Sequence, residues 1–358
     1  MSGNRTPLED ELTHLLEANV PNPRDCRLAR RVLGWDGQGG SCLSDAGEEL
    51  GISRERARQI YDHAIAQIRT AEVGGALDEV LTFVDRMSNR AADDIEAELQ
   101  VRGFTRYPFA MRSLLKTASL FGRVPDFTVE ATGGKLFVAA GAGVIQSIIK
   151  AALRSSSRLG VQNVSALRSA IPRRYRRLND ILFIRQVLNT RRDIRWLDAE
   201  ETFWLASVPR NPMVRCLKKV ICYVSPVALS DLHRAIGRLP ARRRATVNRP
   251  ILINFCKQVP ICRVTKDCVE RVMPLAASNL ISGAERIVCR ILRRNGNELS
   301  VRRLQSLCAS AGVGAPNLWR ILLHSPLIFR PAPRIYRVIT ARSNPIKAVK
   351  GRTASLLT

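Results

Sequence analysis

One pattern recurs three times along the chain and constrains its fold more than any other feature of the 358 residues. "VQNVSALRSAI" (Val161–Ile171), "PVALSDLHRAI" (Pro226–Ile236) and "NELSVRRLQSLC" (Asn297–Cys308) each set an apolar residue directly before a serine, at Val164-Ser165, Leu229-Ser230 and Leu299-Ser300. Each is preceded by an apolar helical run: "VIQSIIKAAL", "MVRCLKKVICYV" and "AERIVCRILRR". Each is followed by a second apolar run and then by a short aliphatic segment with an arginine, Arg195, Arg263 or Arg330. From serine to arginine is 30, 33 and 30 residues, and from serine to serine 65 and then 70. A period of that length is a small domain rather than a solenoid unit.

Within each repeat the order reads as a helix, a Ser-capped helix, a third helix and a hairpin. The hairpins are "IRWLDAEETFWLA", "CRVTKDCVERVM" and "IFRPAPRIYRVI", each with two short apolar strands around a polar or proline turn. Three helices followed by a β-hairpin form the winged-helix arrangement. An earlier copy is read in "ADDIEAELQVRG", "PFAMRSLLKTASLFG" and "FTVEATGGKLFVA", with Gly133-Gly134 at the hairpin turn. Trp196, Phe203, Trp204, Trp319 and Tyr336 read as core or wing-packing residues. The expected fold is mainly α: a helix-turn-helix head at 1–89, then winged-helix-like units at 90–140, 141–208, 209–278 and 279–340. A basic tail at 341–358 is expected to be disordered.

The head holds "LSDAGEELGISRERARQIYDHAIAQIR", Leu43 to Arg69. Ala46 and Leu50 share one face of a short helix, and Gly51 supplies a tight turn. Ser53 is a good N-cap for a second helix starting at Arg54. Ala57 and Ile60 face back toward the first helix, and Gly47 lets the second approach it closely. This is a helix-turn-helix pattern whose second helix, 54–69, exposes Arg54, Glu55, Arg58 and Gln59 on one broad face. Arg can read guanine, Gln adenine, and Glu can accept from cytosine.

The stretch resembles region 4 of bacterial sigma factors, the domain that reads the upstream promoter element and docks on RNA polymerase. "SRERARQI" and "AIAQIR" carry the resemblance, and "CRLARRVLGW" is similar to the preceding helix of that family. It covers residues 8–70, under a fifth of the chain. It implies that Arg54, Glu55 and Gln59 contact bases and that Arg56 and Arg58 contact the DNA backbone. Cys42 departs from the family's Thr or Ser, and Tyr61 from its Glu. No aromatic-rich segment able to capture the flipped bases of a melted promoter is present, so promoter opening by this chain alone is not expected. The whole organisation resembles that of sigma-factor-like helix-turn-helix proteins.

Charge points the same way. The chain has 57 Lys and Arg against 31 Asp and Glu, a net charge of +26. Residues 1–100 hold 11 basic and 19 acidic groups; the other 258 hold 46 and 12. A local excess of +34 fits a polyanion partner, because neutralised phosphates release counterions. "RRYRR" (Arg173, Arg174, Arg176, Arg177) lies between the second and third helices of one repeat or opens the third. "ARRRATVNR" (Arg242, Arg243, Arg244, Arg249) falls at the matching place in the next. Arg173, Arg174, Arg176, Arg177, Arg242, Arg243 and Arg244 are candidate backbone contacts. The last repeat has "GAPNLWR" there and carries Arg293, Arg294, Arg302 and Arg303 on its first two helices.

Chemistry beyond binding finds little support. The 9 cysteines are scattered with no C-x-x-C pair, and the 4 histidines have no metal-ligand spacing. Reduced, mostly buried thiols are expected, with no cofactor and no metal. No P-loop, nucleophile elbow or paired-carboxylate motif occurs. No apolar run suits a membrane span, and the polar N-terminus is unlike a signal peptide, so a cytoplasmic, nucleoid-associated protein is expected. The expected function is non-enzymatic: a bacterial sequence-specific transcription regulator acting on double-stranded DNA, with RNA polymerase as the partner the resemblance implies. The rivals are a genuine alternative sigma factor acting with core polymerase and a winged-helix protein-protein scaffold.

Overall fold

The computed structural model describes residues 6–176, 180–199, 201–239 and 247–341. Helices dominate, and the chain opens with four: α1 (Leu8–Asn19), α2 (Pro23–Leu33), α3 (Leu43–Glu49) and α4 (Arg54–Ile68). One order of elements, α-β-α-α-β-β, then follows four times, the second time with one extra short helix. The first repeat is α5 (Gly75–Arg86), β1 (Arg90–Ala91), α6 (Ala92–Val101), α7 (Met111–Leu120), β2 (Thr128–Thr132) and β3 (Lys135–Ala139). The second is α8 (Val144–Leu159), β4 (Gln162–Asn163), α9 (Val164–Ala170), a short α10 (Arg173–Arg176), α11 (Ile181–Asn189), β5 (Ile194–Trp196) and β6 (Thr202–Leu205). The third is α12 (Pro212–Tyr223), β7 (Val227–Ala228), α13 (Leu229–Gly237), α14 (Arg249–Gln258), β8 (Cys262–Thr265) and β9 (Cys268–Arg271). The fourth is α15 (Gly283–Arg294), β10 (Glu298–Ser300), α16 (Val301–Ser310), α17 (Ala315–His324), β11 (Ile328–Ala332) and β12 (Ile335–Val338).

Local chemistry explains many of these boundaries. Asn22, Asp180, Asn211, Asn248 and Ser282 each accept a main-chain N–H in the first turn of the helix they precede, which satisfies donors the helix itself leaves orphaned. Pro23, Pro212 and Pro250 stand in the first turn, where no N–H is missed. The Gly133-Gly134 turn takes positive φ at both residues, 56° and 83°, the geometry of a two-residue hairpin.

Each repeat builds a three-stranded antiparallel sheet with the same strand order, β1-β3-β2, β4-β6-β5, β7-β9-β8 and β10-β12-β11. The short strand before the second helix pairs with the last strand of the hairpin. The hairpins expected from sequence are all present; the short third strand is an addition.

That ladder also corrects the alignment of the repeats. Asn163 pairs with Thr202, Ala228 with Cys268 and Ser300 with Ile335. The next residue, Val164, Leu229 or Val301, donates its N–H to a hairpin-turn carbonyl, of Glu201, Asp267 or Arg334, at 2.8, 2.8 and 2.7 Å. Ser165 and Ser230 therefore correspond to Arg302, and Ser300 stands two positions earlier. Of the three serines only Ser300 caps its helix, accepting from the Arg303 N–H at 3.4 Å; in the second repeat Asn163 takes that role, accepting from the Ser165 N–H at 2.8 Å. Arg195 pairs with Trp204 and Arg263 with Glu270, and the matching partner of Arg337 is Phe329, not Arg330. A two-residue slip keeps the apolar side of a strand unchanged, so apolar alternation could not reveal the shift in the serines.

The chain divides into two compact units, residues 1–151 with 168–192, and residues 152–167 with 193–358. The division falls inside the segment 141–208 rather than at either of its ends.

In the first unit α1, α2 and α4 share a core with the first repeat. Leu8, Leu12, Leu16, Ala64 and Ile68 pack with Leu77, Val84, Ile95, Leu99, Phe104, Met111 and Leu114, all buried. The first repeat also begins at α5, which a boundary at residue 90 would leave with the head. Polar links join the same parts. The Leu8 N–H donates to the Phe104 carbonyl at 2.9 Å, and the buried Glu9 carboxylate accepts from the main-chain N–H groups of Arg106 and Tyr107. Trp35 Nε1 donates to Thr117 Oγ1 at 2.8 Å, with both side chains buried.

In the second unit one core runs through the third and fourth repeats, from Leu217, Val220, Leu232, Leu252 and Phe255 to Val288, Leu292, Leu304, Leu318 and Ile328. Lys219 on α12 reaches Glu285 on α15 at 2.6 Å, and Glu285 also accepts from Ser325 Oγ at 2.5 Å. Arg238, beside α13, donates to the Leu322 and Leu323 carbonyls at the end of α17. These repeats are fused bodies, not beads on a string.

Candidate nucleic-acid interface

The turn between α3 and α4 is built as the sequence predicts. Gly51 has φ +65°, a conformation glycine adopts freely. The Ile52 N–H returns to the Gly47 carbonyl at 2.9 Å. A Cβ on Gly47 would stand 3.0 Å from the Ile52 carbonyl and 3.2 Å from the Ala57 Cβ, so Gly47 permits the close approach of the two helices. Ala46 and Ala57 are fully buried and pack with Leu28 and Val32 of α2. Ser53 Oγ accepts from the Arg56 N–H at 3.2 Å, the expected cap. Cys42 caps α3, its Sγ accepting from the Asp45 N–H at 3.5 Å, so the thiol fills the role of the hydroxyl it departs from. Tyr61 is half-buried against the core, and burial raises its pKa.

The outward face of α4 holds Arg54, Glu55, Arg56, Arg58, Gln59, Asp62 and His63, all exposed. Its side chains are engaged with one another. Arg58 clamps Glu55 through two bonds of 2.8 and 3.2 Å and approaches Asp62 at 3.6 Å. Arg56 donates to Gln59 Oε1 at 3.3 Å. The Arg58 guanidinium, by hydrogen bond and then by charge, holds the Glu55 carboxyl below its ordinary range. The face thus presents guanidinium, carboxylate and amide groups within about two turns, on a helix whose position is fixed by the packed alanines.

Of the seven arginines expected to contact backbone in the repeats, three fall on described residues. Arg173, Arg174 and Arg176 fall on the short α10, between α9 and α11. Arg177, Arg242, Arg243 and Arg244 lie outside the described residues, as does the tail from 342. Arg249 opens α14 and is paired with Asp267.

The third helices of the repeats differ: α7 exposes Arg112 and Lys116, while α11 and α17 expose large apolar side chains. On α11 Leu182 is 65% exposed, and on α17 Trp319 is 41% and Leu323 63% exposed. Trp319 is therefore not the core residue the sequence suggests, whereas Phe203, Trp204 and Tyr336 are buried. Positive charge in the fourth repeat sits on α15 instead, where Arg286, Arg290, Arg293 and Arg294 are exposed. The sequence reading passes over Arg286 and Arg290; their spacing of four, continued at Arg294, is the signal that finds them.

Among the described residues no group of three or more His, Cys, Asp or Glu could hold a metal ion, and no helix is long and apolar enough to cross a membrane. The chain matches no protein-family model and no curated protein.

Proposed function

We propose that this chain is a sequence-specific, non-enzymatic DNA-binding transcription regulator. Its α4 reads the major groove, and its repeats are winged-helix units. The observation that carries the reading is the α3–α4 pair: a glycine turn, a serine cap and buried alanines hold out a helix whose exposed face is Arg54, Glu55, Arg58 and Gln59. Groups of that kind at that spacing read base edges and hold phosphate. The recurring three helices and three-stranded sheet support the winged-helix reading, and the net charge of +26 supports a polyanion partner. The resemblance to sigma factor region 4 adds RNA polymerase as a proposed partner and a bacterial nucleoid as the setting.

The acidity of residues 1–100 gives this partner little independent support. Glu9 and Glu11 accept main-chain N–H groups, and Asp10 and Asp78 are paired with Arg106 and Arg123. Much of that charge is used inside the fold. Fusion of the third and fourth repeats also means they present their contacts as one body rather than as tethered sites. A second reading, a protein-docking role for individual repeats, is favoured by the exposed Leu182, Trp319 and Leu323 on third helices.

The experiment is to recover a preferred site by selection from random duplexes and to compare Gln59→Ala on preferred and random DNA. The expected loss is about 1–3 kcal/mol on the preferred site and almost none on random DNA. Equal losses on both would end the base-reading assignment of α4. A flat salt response of the whole chain would favour the docking reading over DNA binding.

A further inference from the structure

The fourth repeat carries a stripe of unpaired positive charge on its first helix. Arg286, Arg290 and Arg294 are exposed on α15 and recur every four residues, while Val288, Cys289 and Leu292 face the core. A rise of 1.5 Å per residue sets the three about 6 Å apart, so the stripe is about 12 Å long. Among the described residues none of the three guanidinium groups has a carboxylate within ion-pair distance. The nearest acids in sequence are engaged: Glu285 with Lys219, and Glu298 with Arg337. Arg293, the remaining arginine of the helix, lies 4.0 Å over the Tyr223 ring.

Two comparisons give the stripe its meaning. Some surface arginines stand beside carboxylates, as in Arg31–Glu49, Arg58–Glu55 and Arg123–Asp78, whereas Lys150, Arg154 and Arg158 on α8 are exposed at the same spacing of four as the α15 arginines. Like charges at a spacing of four destabilise a helix, and three in a row on α15 have no carboxylate partner among the described residues to offset that. The third helix of the same repeat has no such surface. Its Arg320 is bonded to Asn317 at 3.0 Å, and its exposed face holds Trp319 and Leu323.

We propose that α15 is a DNA-backbone-binding element, with Arg286, Arg290 and Arg294 lying along one strand of a duplex. This rests on the DNA-binding reading above and relocates the fourth repeat's contact from its third helix to its first. Each of the three guanidinium groups can neutralise about one phosphate, so the stripe accounts for about three. Arg302 and Arg303, exposed in the first turn of α16, add positive charge to the same repeat, at a helix end whose dipole favours anions. Duplex is favoured over single strand because single-strand sites add aromatic faces on which bases stack. α15 has no aromatic residue, and the Tyr223 ring is covered by Arg293.

The test uses the full chain with Arg286, Arg290 and Arg294 all changed to Gln, and random-sequence duplex and single-stranded DNA of equal length as probes. Titrations across salt should show the slope of log affinity against log salt on duplex shrinking by about 2.7, with affinity falling up to about 500-fold near ~0.1 M salt. The ratio of preferred-site to random binding should stay unchanged, because α4 is untouched. Changing the same three to Lys should keep the slope, and circular dichroism should show all variants folded. A Gln variant that binds duplex with the wild-type slope overturns the assignment, as does a loss confined to the single strand or a Lys variant as weak as the Gln one. If the wild-type chain shows no duplex affinity even at low salt, it is the DNA-binding reading that falls, and α15 with it.

Discussion

The Glu55 carboxylate receives the Arg58 guanidinium through two bonds, 2.8 Å from Nη2 and 3.2 Å from Nε, one helical turn along α4. A candidate base reader and a candidate backbone contact therefore hold each other in the free chain, and binding must exchange this clamp for contacts to DNA. The arginine stabilises the charged carboxylate, so the Glu55 pKa lies below its ordinary 4.5. The sign follows: the pair's contribution to α4 is present above the ordinary carboxylate range and is lost as pH falls through the lowered pKa. An NMR titration of the Glu55 side chain should find a midpoint under 4.5, and Arg58→Ala should move it back up. A midpoint unmoved by that change would mean the clamp does not form in solution. Glu55→Gln, which frees Arg58 and removes a negative charge from the face, should raise affinity for random duplex.

The approach of α4 to α3 predicts unequal costs at two glycines. Gly47→Ala places a methyl 3.0 Å from the Ile52 carbonyl and 3.2 Å from the Ala57 Cβ, and overpacking of this kind costs about 1–3 kcal/mol. Gly51→Ala meets open space but must hold φ near +65°, which costs roughly 1–2 kcal/mol. Denaturant melts should show both losses, and only Gly47→Ala should also disturb chemical shifts on the packed face of α4. An unchanged melt for Gly47→Ala would show that the helices can separate freely.

Trp35 and Thr117 tie the opening helices to the first repeat. Thr117→Val keeps the shape but leaves the buried Trp35 N–H without an acceptor, at a cost of about 1–3 kcal/mol. The expected result is a lower melting point for α1–α4, although residue 117 lies far outside them in sequence. A fragment ending at Asn89 should lose cooperative melting, because Leu8, Glu9 and Trp35 lose their partners at Phe104, Arg106 and Thr117. A fragment that melts as sharply as the whole unit would contradict the shared core.

Lys219 and Glu285 make the corresponding prediction for the third and fourth repeats. Lys219→Met leaves the buried Glu285 carboxylate with Ser325 as its side-chain hydrogen-bond partner. Breaking a buried ion pair from one side costs about 3 kcal/mol or more. Adding Glu285→Leu should recover part of that loss, since no uncompensated charge remains. A double variant that is no better than the single one would show that the pair's geometry, not its charge balance, is what the fold requires.

The sequence by itself determined the local elements. Ser53, Gly51 and the buried alanines specify α3 and α4 because capping, positive φ and close packing are properties of those residue types wherever they stand. The same holds for the hairpins, whose alternating apolar residues and turn residues act over a few positions. Tertiary structure alone decided the register of the repeats, since a two-residue slip leaves the apolar pattern intact and only the pairing of Ser300 with Ile335 excludes it. It also decided that α5 opens the first repeat and that Leu8 and Phe104 belong to one core, because such contacts join residues distant in sequence with no local signal. The placement of charge followed the same division. Four-residue spacing marks Arg286, Arg290 and Arg294 as one face, but which face of α15 is buried, and that Glu285 and Glu298 are engaged elsewhere, depended on what packs against the helix.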